Sequence, residues 1–337
     1  MFIHKAIIRQ IGGLVALLGI ASLASAASLE DAVQRGDLDE VRQIIEEGAD
    51  VNERNNYGVM PLHAAINKGH VAVAGLLIDN GAEVNARDNV GSLPLHTAVR
   101  GGHAGMVEVL INNGAQIEAS IMYGARPLHV AVTEGHAAIA DLLINGGAEV
   151  DARNNVGNTP LHEATLKGHT AIADLLINNG AEVSSTNNDG LTPLLLAAER
   201  VRDEMVRLLV NRGAEVNAAT TDGKTPLHMV SFAALAAQVK LTGAGKLVHS
   251  KIDISSAVKI LIKAGADVNA RLADGRTSLH IVATSWSDDT AIVRLLVKNG
   301  ADVNAKCDEG LTPADHAARS DRKRVAKLLR KYEARKG

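Results

Sequence analysis

Aromatic side chains are almost missing: two phenylalanines, three tyrosines and one tryptophan in 337 residues. A core must therefore be built from Ala, Leu, Ile and Val, which are small enough to let helices approach closely, and aromatic plates are excluded as its main filler. Cysteine is scarcer still. Cys307 stands alone, so no intrachain disulfide can form and stability has to come from packing. A large excess of charge is absent too. A net charge of -3 and an isoelectric point near 6.5 exclude a phosphate-neutralising surface over the whole chain, and with it nucleic acid as the expected partner. The charge is uneven, however: nine basic residues face Asp321 and Glu333 between Arg319 and Lys336, a local +7. That run reads as a solvated terminal helix, with a docking patch as the alternative.

Long apolar runs are also few. Ile11 to Ala21 is unbroken apart from glycines, follows the bases Lys5 and Arg9, and leads to Ala24-Ser25-Ala26. It is shorter than the roughly 20 residues that span a bilayer, and small residues close it where a signal peptidase reads. The expectation is a signal peptide over residues 1–26, cleaved after Ala26. Residues 27–337 would then form one exported domain of charge -5, periplasmic or secreted, monomeric and without stable membrane insertion.

What the sequence has is a period. Proline recurs at Pro61, Pro94, Pro127, Pro160, Pro193 and Pro226, every 33 residues, and the motif returns at Ser278 and Pro313. Within residues 157–189, Thr159 is placed to cap a helix with its hydroxyl, Pro160 sits at the first helical position, and Gly168 stops the helix after about two turns. A second helix follows, with Ile172, Leu175 and Leu176 on one face and Gly180 as its stop. Val183 is expected to open an extended arm, and Asn188-Asp189-Gly190 to turn the chain into the next unit. One such pair cannot bury its own apolar stripe, so neighbours must cover it on both sides. Nine units are expected. In the first, residues 28–57, Leu29, Val33, Val41, Ile44 and Ile45 point inward; the last, residues 310–337, is a charged cap.

Thr159-Pro160-Leu161-His162 and Thr225-Pro226-Leu227-His228 match the first four residues of the motif Thr-Pro-Leu-His-x-Ala, whereas Met60, Leu93 and Arg126 replace its threonine. With the 33-residue period, these residues make the chain resemble the ankyrin-repeat family over essentially all of residues 27–337. The resemblance implies an all-α fold, a curved solenoid of stacked helix-turn-helix units with β-turn tips. It also implies a binding scaffold for another protein, acting through its tips and the concave face of its first helices. The tip positions are Asn56, Tyr57, Asn89, Val90, Met122, Tyr123, Asn155 and Val156. The first-helix ends are Asn67, Lys68, Arg100, Thr133, Glu134, Leu166, Lys167, Glu199 and Arg200.

The period breaks once. From Pro226 to Ser278 the step is 52 residues, which leaves 19 extra, centred on residues 233–252. Met229, Phe232, Leu235 and Val239 recur at helical spacing, so the first helix is expected to run on until Thr242-Gly243-Ala244-Gly245 breaks it. Two further extra residues place Trp286 where a glycine stop is due. Phe232 and Trp286 are candidate contacts, or else pack the insertion against the repeats.

Chemistry is hard to assemble from these residues. Of 13 histidines, six belong to the Leu-His motif and four to Gly-His pairs. Ladders at one-repeat spacing are not a metal cluster. His162-Glu163 has Leu166 where a zinc-protease helix needs its second histidine, and Gly243-Ala244-Gly245-Lys246 lacks the first glycine and the hydroxyl residue of a phosphate loop. No catalytic residue, metal or cofactor is expected. The functional alternatives to an exported scaffold are a secreted effector that binds a host protein and a non-catalytic subunit of a periplasmic enzyme.

Overall fold

The computed structural model describes residues 28–336 apart from 90, 236–237, 242–246, 251–252 and 286–289. The expected signal peptide, Val90 and Trp286 lie outside the described residues. The chain divides into two compact units, residues 1–117 and 118–337.

The first unit holds α1 (Leu29–Arg35), α2 (Leu38–Glu46), α3 (Pro61–Lys68), α4 (Val71–Asp79), α5 (Pro94–Arg100) and α6 (Ala104–Asn112). Proline starts α3 and α5 because the first turn needs no amide hydrogen there. First helices pack on first helices and second on second, which seals Leu62, Ile66, Leu77, Leu95, Met106 and Leu110 from solvent. At the end of the unit, Val33 and Val41 are fully buried, while Ile44 and Ile45, expected inward, are only half-buried because, among the described residues, no helix covers α2 on its outer side.

The second unit continues with α7 (Pro127–Glu134), α8 (Ala137–Asn145), α9 (Pro160–Lys167), α10 (Thr170–Asn178), α11 (Pro193–Glu199), α12 (Asp203–Asn211) and α13 (Pro226–Ala233). A hairpin of β1 (Gln238–Leu241) and β2 (Leu247–Ser250) follows, then α14 (Ser255–Lys263), α15 (Ser278–Ala283), α16 (Thr290–Lys298), α17 (Pro313–Arg319) and α18 (Lys323–Lys336). The repeats are all-α, as expected. The insertion is not: α13 stops at Ala233 instead of running on, and Gln238 pairs with Ser250 and Leu241 with Leu247 in an antiparallel register. Val-Lys-Leu and Leu-Val-His, either side of the glycine-containing stretch Thr242-Gly243-Ala244-Gly245 in the sequence, favour strands over further helix. The arm after Gly180 also differs, since it opens with a turn at Val183 in which the Ser185 amide donates to the Glu182 carbonyl at 3.3 Å.

Two polar devices join neighbours. In the first, the histidine of the motif captures its threonine. The Thr159 amide donates to His162 Nδ1 at 3.2 Å and the Thr159 hydroxyl lies 2.8 Å from the same nitrogen, while Nε2 reaches the Leu191 carbonyl of the next repeat at 3.0 Å. Thr159 therefore serves the ring as well as capping the helix in a capping box with His162, and Thr225 does both with His228, whose amide donates to the Thr225 hydroxyl at 3.5 Å. His280 repeats the arrangement with Thr277 and the Leu311 carbonyl. Where Leu195 replaces the histidine, Thr192 reverts to an ordinary cap and accepts from the Leu195 amide at 3.3 Å.

In the second device, an asparagine after the second helix staples the following repeat. Asn269 Nδ2 donates to the Gly300 carbonyl at 3.0 Å and its Oδ1 accepts from the Asp302 amide at 2.8 Å. Asn217 does the same with Gly265 and Asp267 across the insertion. Asp151 stands at this position in an earlier repeat and retains only the accepting half, from the Glu182 amide. Asn269→Asp is accordingly expected to lower stability by about 0.5–1.5 kcal/mol, read as a urea midpoint shift. No shift would mean that water replaces the lost bond at no cost.

Candidate partner-binding groove

The tips of the second unit are laced by main-chain hydrogen bonds, residue to residue across neighbours: the Asn155 amide to the Tyr123 carbonyl (3.0 Å), Asn188 to Val156 (3.1 Å), Ala273 to Asp222 (3.1 Å) and Asp308 to Asp274 (3.0 Å). Gly223 makes one of these approaches possible. With φ +80, a β-carbon there would lie 2.8 Å from the Arg271 carbonyl oxygen, so the tips could not close with any other residue.

Beside these tips lies an open groove of about 690 Å³, lined by Glu199, Asp222, Lys224, Met229, Phe232, Ala233, Leu272, Ala273, Asp274 and Arg276. Met229, Phe232 and Ala233 come from α13, and Leu272 to Arg276 from the tip beyond the insertion. The apolar floor is ringed by charge. Lys224 Nζ is 2.7 Å from Asp222 Oδ2, and Arg276 Nε is 2.7 Å from Asp274 Oδ2. The Lys224 ammonium, aided by the Thr220 hydroxyl, holds the Asp222 carboxyl below the usual carboxylate range. At Asp274 burial pushes the other way, but hydrogen bonds from the Arg276 amide and guanidinium outweigh it and keep that carboxyl low as well. The ring thus stays ionised and paired near neutral pH, leaving Glu199 with a longer 3.7 Å contact to Arg200. An apolar side chain of a partner would find a floor here, and its polar neighbours would find both signs of charge.

Of the residues singled out by sequence, Glu199 and Phe232 meet in this groove, and Phe232 is half-buried there. Glu134 and Lys167 are exposed at the ends of α7 and α9. Tyr123 is 75% exposed with φ +65, its neighbour Met122 is also exposed, and Tyr123's own carbonyl is tied to Asn155, so ring and tip are held outward together. In the first unit Tyr57 is 78% exposed on the Asn55–Gly58 turn, and Asn67, Lys68 and Arg100 are exposed at helix ends. Leu272, Asp274 and Arg276 were missed. The Asp-Gly pairs at Asp222-Gly223 and Asp274-Gly275, which mark equivalent tips 52 residues apart, are the signal that brings them beside α13. Among the described residues, no group of three or more His, Cys, Asp or Glu side chains could hold a metal ion, and no helix is long and apolar enough to cross a membrane.

Family models described as ankyrin repeats match residues 29–121, 118–187 and 248–337, and a second such model matches residues 176–230. The crystal structure of the human ASB11 ankyrin repeat domain is similar at 28% identity with a TM-score of 0.58, over 72% of this chain and 99% of that one. No curated protein matches. Ankyrin repeats are generally protein-binding scaffolds, and their fold is typically non-catalytic. With repeat models covering most of its length and the Thr-His and Asn devices linking neighbouring repeats, the chain belongs to the ankyrin-repeat family.

Proposed function

We propose that the chain is an exported, non-catalytic scaffold that holds a protein partner in the groove between α13 and the tip at Leu272–Arg276. The observation that carries this reading is the groove's make-up: an apolar floor of Met229, Phe232 and Leu272 within a ring of paired charges. Such a floor anchors one or two large side chains of a partner, and the ring excludes water and sets orientation. Tyr123, on a tip of the same unit, extends the contact as a rigid, exposed ring. The basic and apolar order of residues 1–26 supports delivery to the periplasm or the exterior.

A photo-crosslinking amino acid at Phe232 is expected to capture one defined protein in cells, and the same group at exposed Lys259 on α14 is not. Phe232→Ala is expected to weaken the captured complex by about 10- to 100-fold, the cost of losing an interface anchor. Identical capture patterns at 232 and 259 would end the reading. Whether the captured protein is periplasmic or belongs to a host decides between a resident scaffold and an effector.

A further inference from the structure

A separate surface lies at the C-terminal end of the second unit. Arg294 of α16 and Arg324, Lys327, Lys331 and Arg335 of α18 line an open groove of about 320 Å³, with Leu328 and Tyr332 between them and no acidic residue in the lining. All five cations are exposed, whereas Leu328 and Tyr332 are half-buried. The α18 positions follow one another at three and four residues, so they form a single row about 16 Å long on one side of the helix.

Two other basic side chains of this cap are paired: Arg319 with Glu309 at 3.0 Å and Lys323 with Asp321 at 3.5 Å. In the groove, Arg294, Lys327, Lys331 and Arg335 form no ion pair with any described residue. The local +7 also stands out against a remainder of -10, so the basic row is set apart from the rest of the chain by sign.

We infer that the α16/α18 face docks on an anionic phospholipid surface, through phosphate headgroups held by the cation row. Long Lys and Arg side chains present charge to a headgroup layer, and half-buried Tyr332 supplies an amphipathic body, with Leu328 an apolar one, that suits such an interface. The buried face of α18, Val325, Ala326 and Leu329, is already used against the repeats. Contact is therefore electrostatic and superficial, with no insertion. Single-stranded nucleic acid fits less well, since it needs exposed aromatic platforms for its bases, and the ring here is one half-buried tyrosine.

The test is co-sedimentation of the full chain with neutral phosphatidylcholine vesicles and with vesicles containing about 30% phosphatidylglycerol. Binding to anionic vesicles in excess of neutral ones is expected, falling steeply with salt and at least about tenfold weaker in Lys327→Glu/Lys331→Glu. Lys327→Arg/Lys331→Arg is expected to restore it. Residues 1–26 are common to every variant, so the difference isolates α18. An unchanged thermal midpoint verifies that the exposed substitutions leave the fold intact. Equal sedimentation of the Glu variant and the parent would overturn the inference. So would displacement by millimolar inorganic phosphate, which would assign the groove to a free anion, or tighter binding of a polyglutamate peptide or an oligonucleotide than of the vesicles.

Discussion

Unfolding in urea is expected to require markedly less denaturant at about pH 5 than at neutral pH, because the buried motif histidines must be neutral in the fold. His228, fully buried on α13, is pushed from 6.5 to about 4, by desolvation above all. Burial pushes His63, His129, His162 and His280 down as well. The geometry explains why no proton is welcome. Nδ1 of His162 and of His280 accepts from the threonine amide, so protonation would set two hydrogens against each other. A depressed histidine leaves the unfolded chain holding the extra proton between pH 6.5 and 4. Stability is complete above that window and is lost as pH falls through it.

For His228 alone the loss at about pH 5 is roughly 2 kcal/mol. The depressed carboxylates Asp222, Asp274 and Asp315 act in the same direction, but only below about pH 3.8, so the two contributions separate. Leu195 shows that leucine can occupy this motif position, fully buried. His228→Leu should therefore fold and show a pH 7-to-5 drop smaller by about 2 kcal/mol. An undiminished drop in that variant would rule out His228 as a source.

Leu176→Ala is expected to cost about 2–5 kcal/mol. Leu176 on α10 is fully buried, as are Leu143 and Leu209, one repeat to either side, so the cavity opens where three repeats share one core. Stability in a stacked array is a sum of weak units and strong interfaces, and a hole at an interface weakens coupling as well as packing. A lower urea midpoint with a shallower transition is expected. A loss below about 1 kcal/mol would show that the neighbouring helices collapse onto the space.

The repeats were legible because their determinants are local and recur. Proline at the first helical position, glycine beyond the last and aliphatic residues at three and four spacings each act within one turn of helix. The Thr-His pair was visible as a motif, yet its role was not. The threonine was read as a cap, and it is one, but only the position of the Leu191 carbonyl, 29 residues onward, shows that the histidine ring is shared between repeats. The insertion misled for a related reason. Met229, Phe232, Leu235 and Val239 fit a helical period, but four residues cannot register that Val239 pairs with His249, ten residues onward. The groove beside it depended on that error as well, since its far wall comes from a tip whose distance in sequence was stretched by the insertion. Exposed residues such as Tyr123 were found because the tip position alone decides their exposure.

The Asn217 staple bears on how this molecule can change. It clasps Gly265 and Asp267 with the bonds that Asn269 makes to Gly300 and Asp302, though it spans 48 and 50 residues where the other spans 31 and 33. The clasp measures space and ignores contour length. Closing the longer loop costs only about 0.4 kcal/mol more by chain entropy. The hairpin is therefore an insertion port: lineages or engineers can lengthen the chain between α13 and α14, beside the groove, and vary what the scaffold presents there while the stacking of its repeats is left alone.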